Sequence, residues 1–103
     1  MKLYVYIAYF FGGAFLINGI PHFVNGVTGH PFPTPFASPP GQGESRAMVN
    51  VLWGTFNFIV AYLLIGRVGT FQLGKTRDVL LVGLGGFLIA LMLSMAFGRV
   101  YGG

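Results

Sequence analysis

Three stretches of this chain are apolar, free of charge and as long as a bilayer core is thick: Leu3–Ile20, Ala47–Ile65 and Val79–Phe97. Eighteen or nineteen residues of helix rise about 27–28 Å, against a hydrocarbon core of about 30 Å. In lipid every backbone N–H and C=O must be satisfied within the protein, so runs of this kind fold as helices. The predicted fold is all-α, an integral membrane bundle of three transmembrane helices at about 3–20, 47–65 and 79–97, forming a single domain over 1–103. The composition agrees. Charged residues are 8% of the chain, where soluble domains carry about 25%. The six basic residues, Lys2, Arg46, Arg67, Lys75, Arg77 and Arg99, stand at the ends of the apolar runs. That placement is the membrane pattern and not a basic patch, so no nucleic-acid partner is expected.

The ends of the runs carry their own signals. Pro21 is expected to stop the first helix, because proline disfavours helix at the residue before it. Ser45 is the expected N-cap of the second, Gly66 its end, and Asp78 the cap of the third. Leu3–Ile20 is longer than a signal-peptide core of 7–15 residues. It is followed by Pro21-His22-Phe23 and not by an A-x-A site, so it reads as an uncleaved helix. Lys2, Arg67, Lys75 and Arg77 fall on one side of the bundle, Arg46 and Arg99 on the other. By the positive-inside rule the N-terminus is cytoplasmic and the C-terminus outside, in the plasma membrane of a bacterium, the inner membrane if it is Gram-negative. A bias of four against two leaves dual topology open.

Small and polar residues mark the helix faces. Gly86, Ala90, Ser94 and Gly98 lie four apart on the third segment and wind slowly around it. With Gly54 they are the expected helix-packing surfaces, within the bundle or between copies. Asn50, Gly54, Asn57 and Ala61 make one small, polar stripe on the second segment. An amide facing lipid would be costly, so this stripe should face protein or water. Asn18, His22, Asn50, Trp53 and Ser94 all belong near the outer ends of the helices; with Asn57 they form the expected polar cluster or solute path. Above it hangs the 21–45 loop, which contains all six prolines. Phe32, Pro33, Pro35 and Phe36 give that loop a stiff, apolar centre, read as an outer lid or as an interfacial anchor. Tyr9 and Tyr62 belong to the inner half and need partners of their own.

Other chemistries find little support. There is no cysteine. His22 and His30 are eight apart with only Glu44 as a third candidate ligand, so no metal and no other cofactor is expected. None of the three runs holds Asp, Glu, Lys or Arg, which argues against an ion-coupled transporter. No paired carboxylates and no nucleophile–base set are present, so the chain is not expected to be an enzyme.

The stretch GIPHFVNGVTGHPFPTPFASPPGQGES, with NVLWG and Asn57 after it, resembles a group of small uncharacterised bacterial integral membrane proteins. Gly19-Ile20-Pro21-His22-Phe23 is weakly similar to the G-x-x-H-F helix ending of DoxX-like proteins, which have four helices. The three-helix size is similar to that of SemiSWEET half-transporters, although their Pro-Gln motif is replaced here by Pro21-His22. Two functions follow as expectations. One is a non-enzymatic subunit or accessory protein, associating with itself or another membrane protein through glycine-rich faces, with membrane lipid around it. The other is a homo-oligomeric channel or passive carrier for a small neutral solute.

Overall fold

A computed structural model describes residues 2–103; Met1 lies outside the described residues. Three helices account for most of the chain: α1 (Leu3–Val27), α2 (Ala47–Gly66) and α3 (Thr76–Tyr101). Each is long and apolar enough to cross a membrane. These are the elements of a small membrane protein with an all-α, three-helix fold.

The three apolar runs lie inside these helices, but the ends differ from expectation. α1 does not stop at Pro21; it continues through it for six more residues. The proline ring withholds one N–H from the ladder, and neighbouring helices and polar side chains can compensate for such a loss. Here the turn beyond Pro21 is held by packing. Gly26 lies against Val51 and the Ala47 carbonyl of α2, and Asn25 Nδ2 donates to the Pro21 carbonyl at 2.7 Å. The helix ends at Thr28, whose hydroxyl donates to the Val24 carbonyl at 2.8 Å, and Gly29 leaves with φ +80°. His22 and Phe23 are therefore helical residues and not part of a loop.

Ser45 does not cap α2. Arg46 stands at the cap position, and the Ser45 hydroxyl instead pairs with Thr34 Oγ1 at 2.6 Å. α3 starts at Thr76, so Arg77 and Asp78 belong to its first turn. Asp78 does not cap its own helix. It is fully buried and accepts the Gln72 N–H of the preceding loop at 3.1 Å, with Arg77 Nε at 3.4 Å.

α1 is the centre of the bundle. α2 packs antiparallel on one side of it and α3 parallel on the other, while α2 and α3 barely touch. Glycine sets both interfaces. A Cβ at Gly19 would lie 3.0 Å from the Gly54 carbonyl oxygen, and one at Gly54 would lie 2.9 Å from that of Gly19. On the other side, a Cβ at Gly13 would strike the Val82 carbonyl, and one at Gly85 the Phe10 carbonyl. The backbones touch, as small residues permit in membrane helices. The large side chains Leu80, Leu84, Phe87, Leu91 and Met95 of α3 point outward, where lipid is their solvent.

The loop between α1 and α2 has structure of its own. Phe32–Pro33 (β1) and Glu44–Ser45 (β2) form a short antiparallel ribbon, with Phe32 opposite Ser45 and Pro33 opposite Glu44. Between them the chain doubles back. Gly41 N–H reaches the Thr34 carbonyl at 2.9 Å, Gly43 N–H the Pro39 carbonyl at 2.8 Å, and the Ser38–Pro39 peptide is cis.

Candidate functional site

The polar residues of α1 and α2 meet in two rungs. Asn18 Nδ2 donates to Asn57 Oδ1 at 3.0 Å, and Asn57 Nδ2 donates to the Trp53 carbonyl at 2.7 Å. One turn nearer the loop, His22 Nδ1 stands 2.9 Å from Asn50 Oδ1. Asn50, Asn57 and Ala61 are all buried, as is Gly54 between them. The 4-3-4 spacing thus puts one stripe of α2 against α1, and each amide is paired across or along the helices.

Asn50 joins three parts of the molecule. Its Nδ2 faces three carbonyl oxygens: Phe32 at 3.1 Å, Ser45 at 3.0 Å and Arg46 at 3.2 Å. It therefore ties the loop ribbon to the start of α2, while its Oδ1 ties both to α1. The orientation of the amide is fixed by chemistry, since an oxygen in place of Nδ2 would face three acceptors. Oδ1 must then point at His22, and Nδ1 of His22 must carry the hydrogen.

Aromatic rings surround His22. Phe32 lies at 5.5 Å, Phe97 at 6.3 Å and Trp53 at 6.4 Å between centroids. Phe32 is wedged between α1 and the end of α3, 4.6 Å from Phe97 and stacked on Tyr101 at 6.0 Å. Tyr101 in turn donates to Glu44 Oε2 at 2.5 Å. Phe36 sits edge-on to Trp53 at 5.0 Å although it is largely exposed. Pro33 and Thr34 are buried beneath the loop. The loop thus roofs the α1–α3 end of the bundle, with Phe32 pointing in and Phe36 over Trp53.

Ser94 does not join this group. It is exposed and its hydroxyl donates to the Leu91 carbonyl of its own helix at 2.8 Å. The α3 contribution at this level is Phe97, which sequence reasoning passed over because a lone phenylalanine in an apolar run carries no signal. The small-residue ladder also divides. Gly86 is buried against Ile17 and the Gly13 carbonyl, whereas Ala90 and Ser94 have rotated out of the contact. Gly98 meets the terminal Gly103, which donates to its carbonyl at 2.9 Å.

The candidate metal ligands stand with separate partners. His22 pairs with Asn50, His30 Nδ1 with the Thr28 hydroxyl at 2.9 Å, and Glu44 with Tyr101. Of the inner tyrosines, Tyr62 is exposed. Tyr9 is fully buried, edge-on to Phe71 at 5.5 Å, and its hydroxyl has no hydrogen-bond partner among the described residues.

What this arrangement offers chemically is hydrogen bonding in an aromatic shell, with no charged side chain lining the space beneath the loop. Comparison of the chain with protein-family models, with curated proteins and with solved structures gives no match.

Proposed function

We propose that this protein is a non-enzymatic membrane subunit that associates with other membrane helices, a second copy of itself first, through the open side of the α1–α3 pair. One observation carries the reading. Between α1 and α3 runs a surface groove of about 230 Å³, floored by Gly13, Gly83, Gly86 and Ala90 and edged by Leu16 and Phe87. In lipid, the association of helices depends on close packing and not on apolar burial, and grooves of small residues are where backbones approach. α3 has the room to accept a partner: only 11% of its most apolar window is buried within the chain, against 33% for α1.

The four-against-two distribution of cations supports an N-terminus in the cytoplasm and the ribbon loop outside, in a bacterial plasma membrane. A path for a neutral solute through Asn18, Asn50 and Asn57 draws less support. Asn50 and Asn57 are fully buried and their amides are already engaged by protein groups.

The test is native mass spectrometry from mild detergent, comparing the parent chain with Gly83→Leu. A Cβ at Gly83 meets nothing within 4 Å in the monomer, and the position is exposed on the groove, so the substitution should obstruct the groove with helix content by circular dichroism unchanged. The parent is expected as a dimer or larger assembly and the variant as a monomer. A monomeric parent, or a variant of unchanged mass, rejects the reading.

A further inference from the structure

On the opposite face of α1 from that groove, the loop, α1, α2 and α3 border an open cavity of about 200 Å³, lined among others by Asn18, His22, Thr34, Trp53, Ala96 and Phe97. Two residues that line this cavity, His22 and Trp53, each carry a ring nitrogen with no hydrogen-bond partner among the described residues. His22 is 3% exposed, and with Nδ1 donating to Asn50 its other nitrogen, Nε2, has no partner among the described residues. In the neutral ring this Nε2 is an acceptor. Trp53 Nε1–H can only donate, and it is buried without a partner. Buried polar groups are normally paired, and an orphaned one calls for an explanation.

The pair defines what would satisfy it. A carbonyl can accept from Trp53 but offers nothing to His22. A carboxylate has the same defect and brings a charge into a space with no charged side chain to meet it. An ammonium donates only. A hydroxyl does both from a single atom, accepting from Nε1–H and donating to Nε2.

Beside the cavity lies a groove suited to an apolar tail. Asn18 also lines a second, open groove of about 330 Å³ whose other walls are Phe11, Ala14, Phe15 and Ile89. The two spaces therefore adjoin at Asn18, one roofed and polar at its end, the other apolar and facing the membrane interior.

The geometry points to a binding site for a neutral, hydroxyl-headed amphiphile. Its hydroxyl sits between His22 Nε2 and Trp53 Nε1 under the loop, and its hydrocarbon chain leaves past Asn18 along the α1 groove. The site is independent of the association proposed above, because it uses the other face of α1.

Trp53 is the sole tryptophan, so its emission reports the site directly. The protein in phosphatidylcholine nanodiscs is titrated with 1-dodecanol, and with dodecane as the same chain lacking the hydroxyl. A saturable change in Trp53 emission with dodecanol and none with dodecane is expected, together with a shift of the His22 Nε2 nitrogen resonance. His22→Phe should weaken the response at least tenfold. Ala96→Phe fills the cavity from an exposed helix position and leaves the His22–Asn50 bond in place, so it decides the matter if His22→Phe fails to fold. It too should weaken binding at least tenfold with helix content unchanged by circular dichroism. An equal response to dodecane, or an Ala96→Phe protein that titrates like the parent, overturns the assignment.

Discussion

Asn50 is the residue on which the loop end of the molecule depends. Its side chain is fully buried, and its five-atom amide meets His22, Phe32, Ser45 and Arg46 at once. Replacing it by Leu keeps the volume and removes every one of these bonds. His22 Nδ1–H is then left buried without an acceptor, and the Phe32 carbonyl loses its donor. An orphaned buried group costs about 1–3 kcal/mol, so Asn50→Leu should cost roughly 2–4 kcal/mol in total. Asn57→Leu breaks one interhelical bond, to Asn18, and such bonds in membranes contribute about 0.6–2 kcal/mol. Ser94→Ala removes only a bond to its own helix at an exposed position, and should lie within about 0.5 kcal/mol of the parent. Unfolding in mixed detergent micelles should therefore rank the three variants Asn50, Asn57, Ser94 in order of decreasing damage. Equal losses at Asn50 and Ser94 would contradict this network.

At the scale of the elements, two kinds of information differ in how well the sequence carries them. Apolar runs of bilayer length are a property of each segment alone, and all three helices were legible from them. The helix ends are not local in this way. Pro21 reads as a stop because proline disfavours helix at the residue before it, yet His22 and Gly26 find α2 beyond it and the helix runs on. Ser45 reads as a cap until the ribbon supplies it with Thr34. The polar stripe of α2 was legible because a buried amide in a membrane helix has few places to point. The absence of Ser94 from that group was not, because it depends on how α3 is rotated about α1. The same rotation decides which glycines matter. Gly13 and Gly85 press directly on carbonyl groups of the opposing backbone, and backbone cannot move aside as a side chain can. Gly13→Ala should therefore overpack the α1–α3 contact at a cost of about 1–3 kcal/mol. Gly66→Ala meets only the Tyr62 ring, at 3.4 Å, and should change stability by less than about 0.5 kcal/mol. Thermal unfolding of the two single variants in the same detergent checks the contrast, and a Gly13→Ala protein as stable as the parent would mean that the helices are not in backbone contact.

For the molecule as a whole, the two ends differ in chemistry, and this determines how it should sit in a bilayer. The end with the short 67–75 connection carries Lys2, Arg67, Lys75 and Arg77, with Arg77 over the Tyr6 ring at 5.3 Å and beside the buried Asp78. The ribbon end carries Arg46 and Arg99 together with the prolines and the aromatic roof. Asp78 offsets little of the difference, because acidic residues weigh lightly in setting orientation. The ribbon should therefore be translocated and the short connection retained. The chain has no cysteine, so a single introduced thiol is the only one that a maleimide can label. Ser38 and Thr70 are exposed positions at opposite ends of the bundle, and both lie outside the helices. In cells, Ser38→Cys should react with a membrane-impermeant maleimide added outside, and Thr70→Cys only after permeabilisation. Labelling of both from outside would show two orientations in one population, as an imbalance of only two cations allows. Labelling of Thr70→Cys alone would place the roofed end of the bundle in the cytoplasm, and any amphiphile it holds would then be drawn from the inner leaflet.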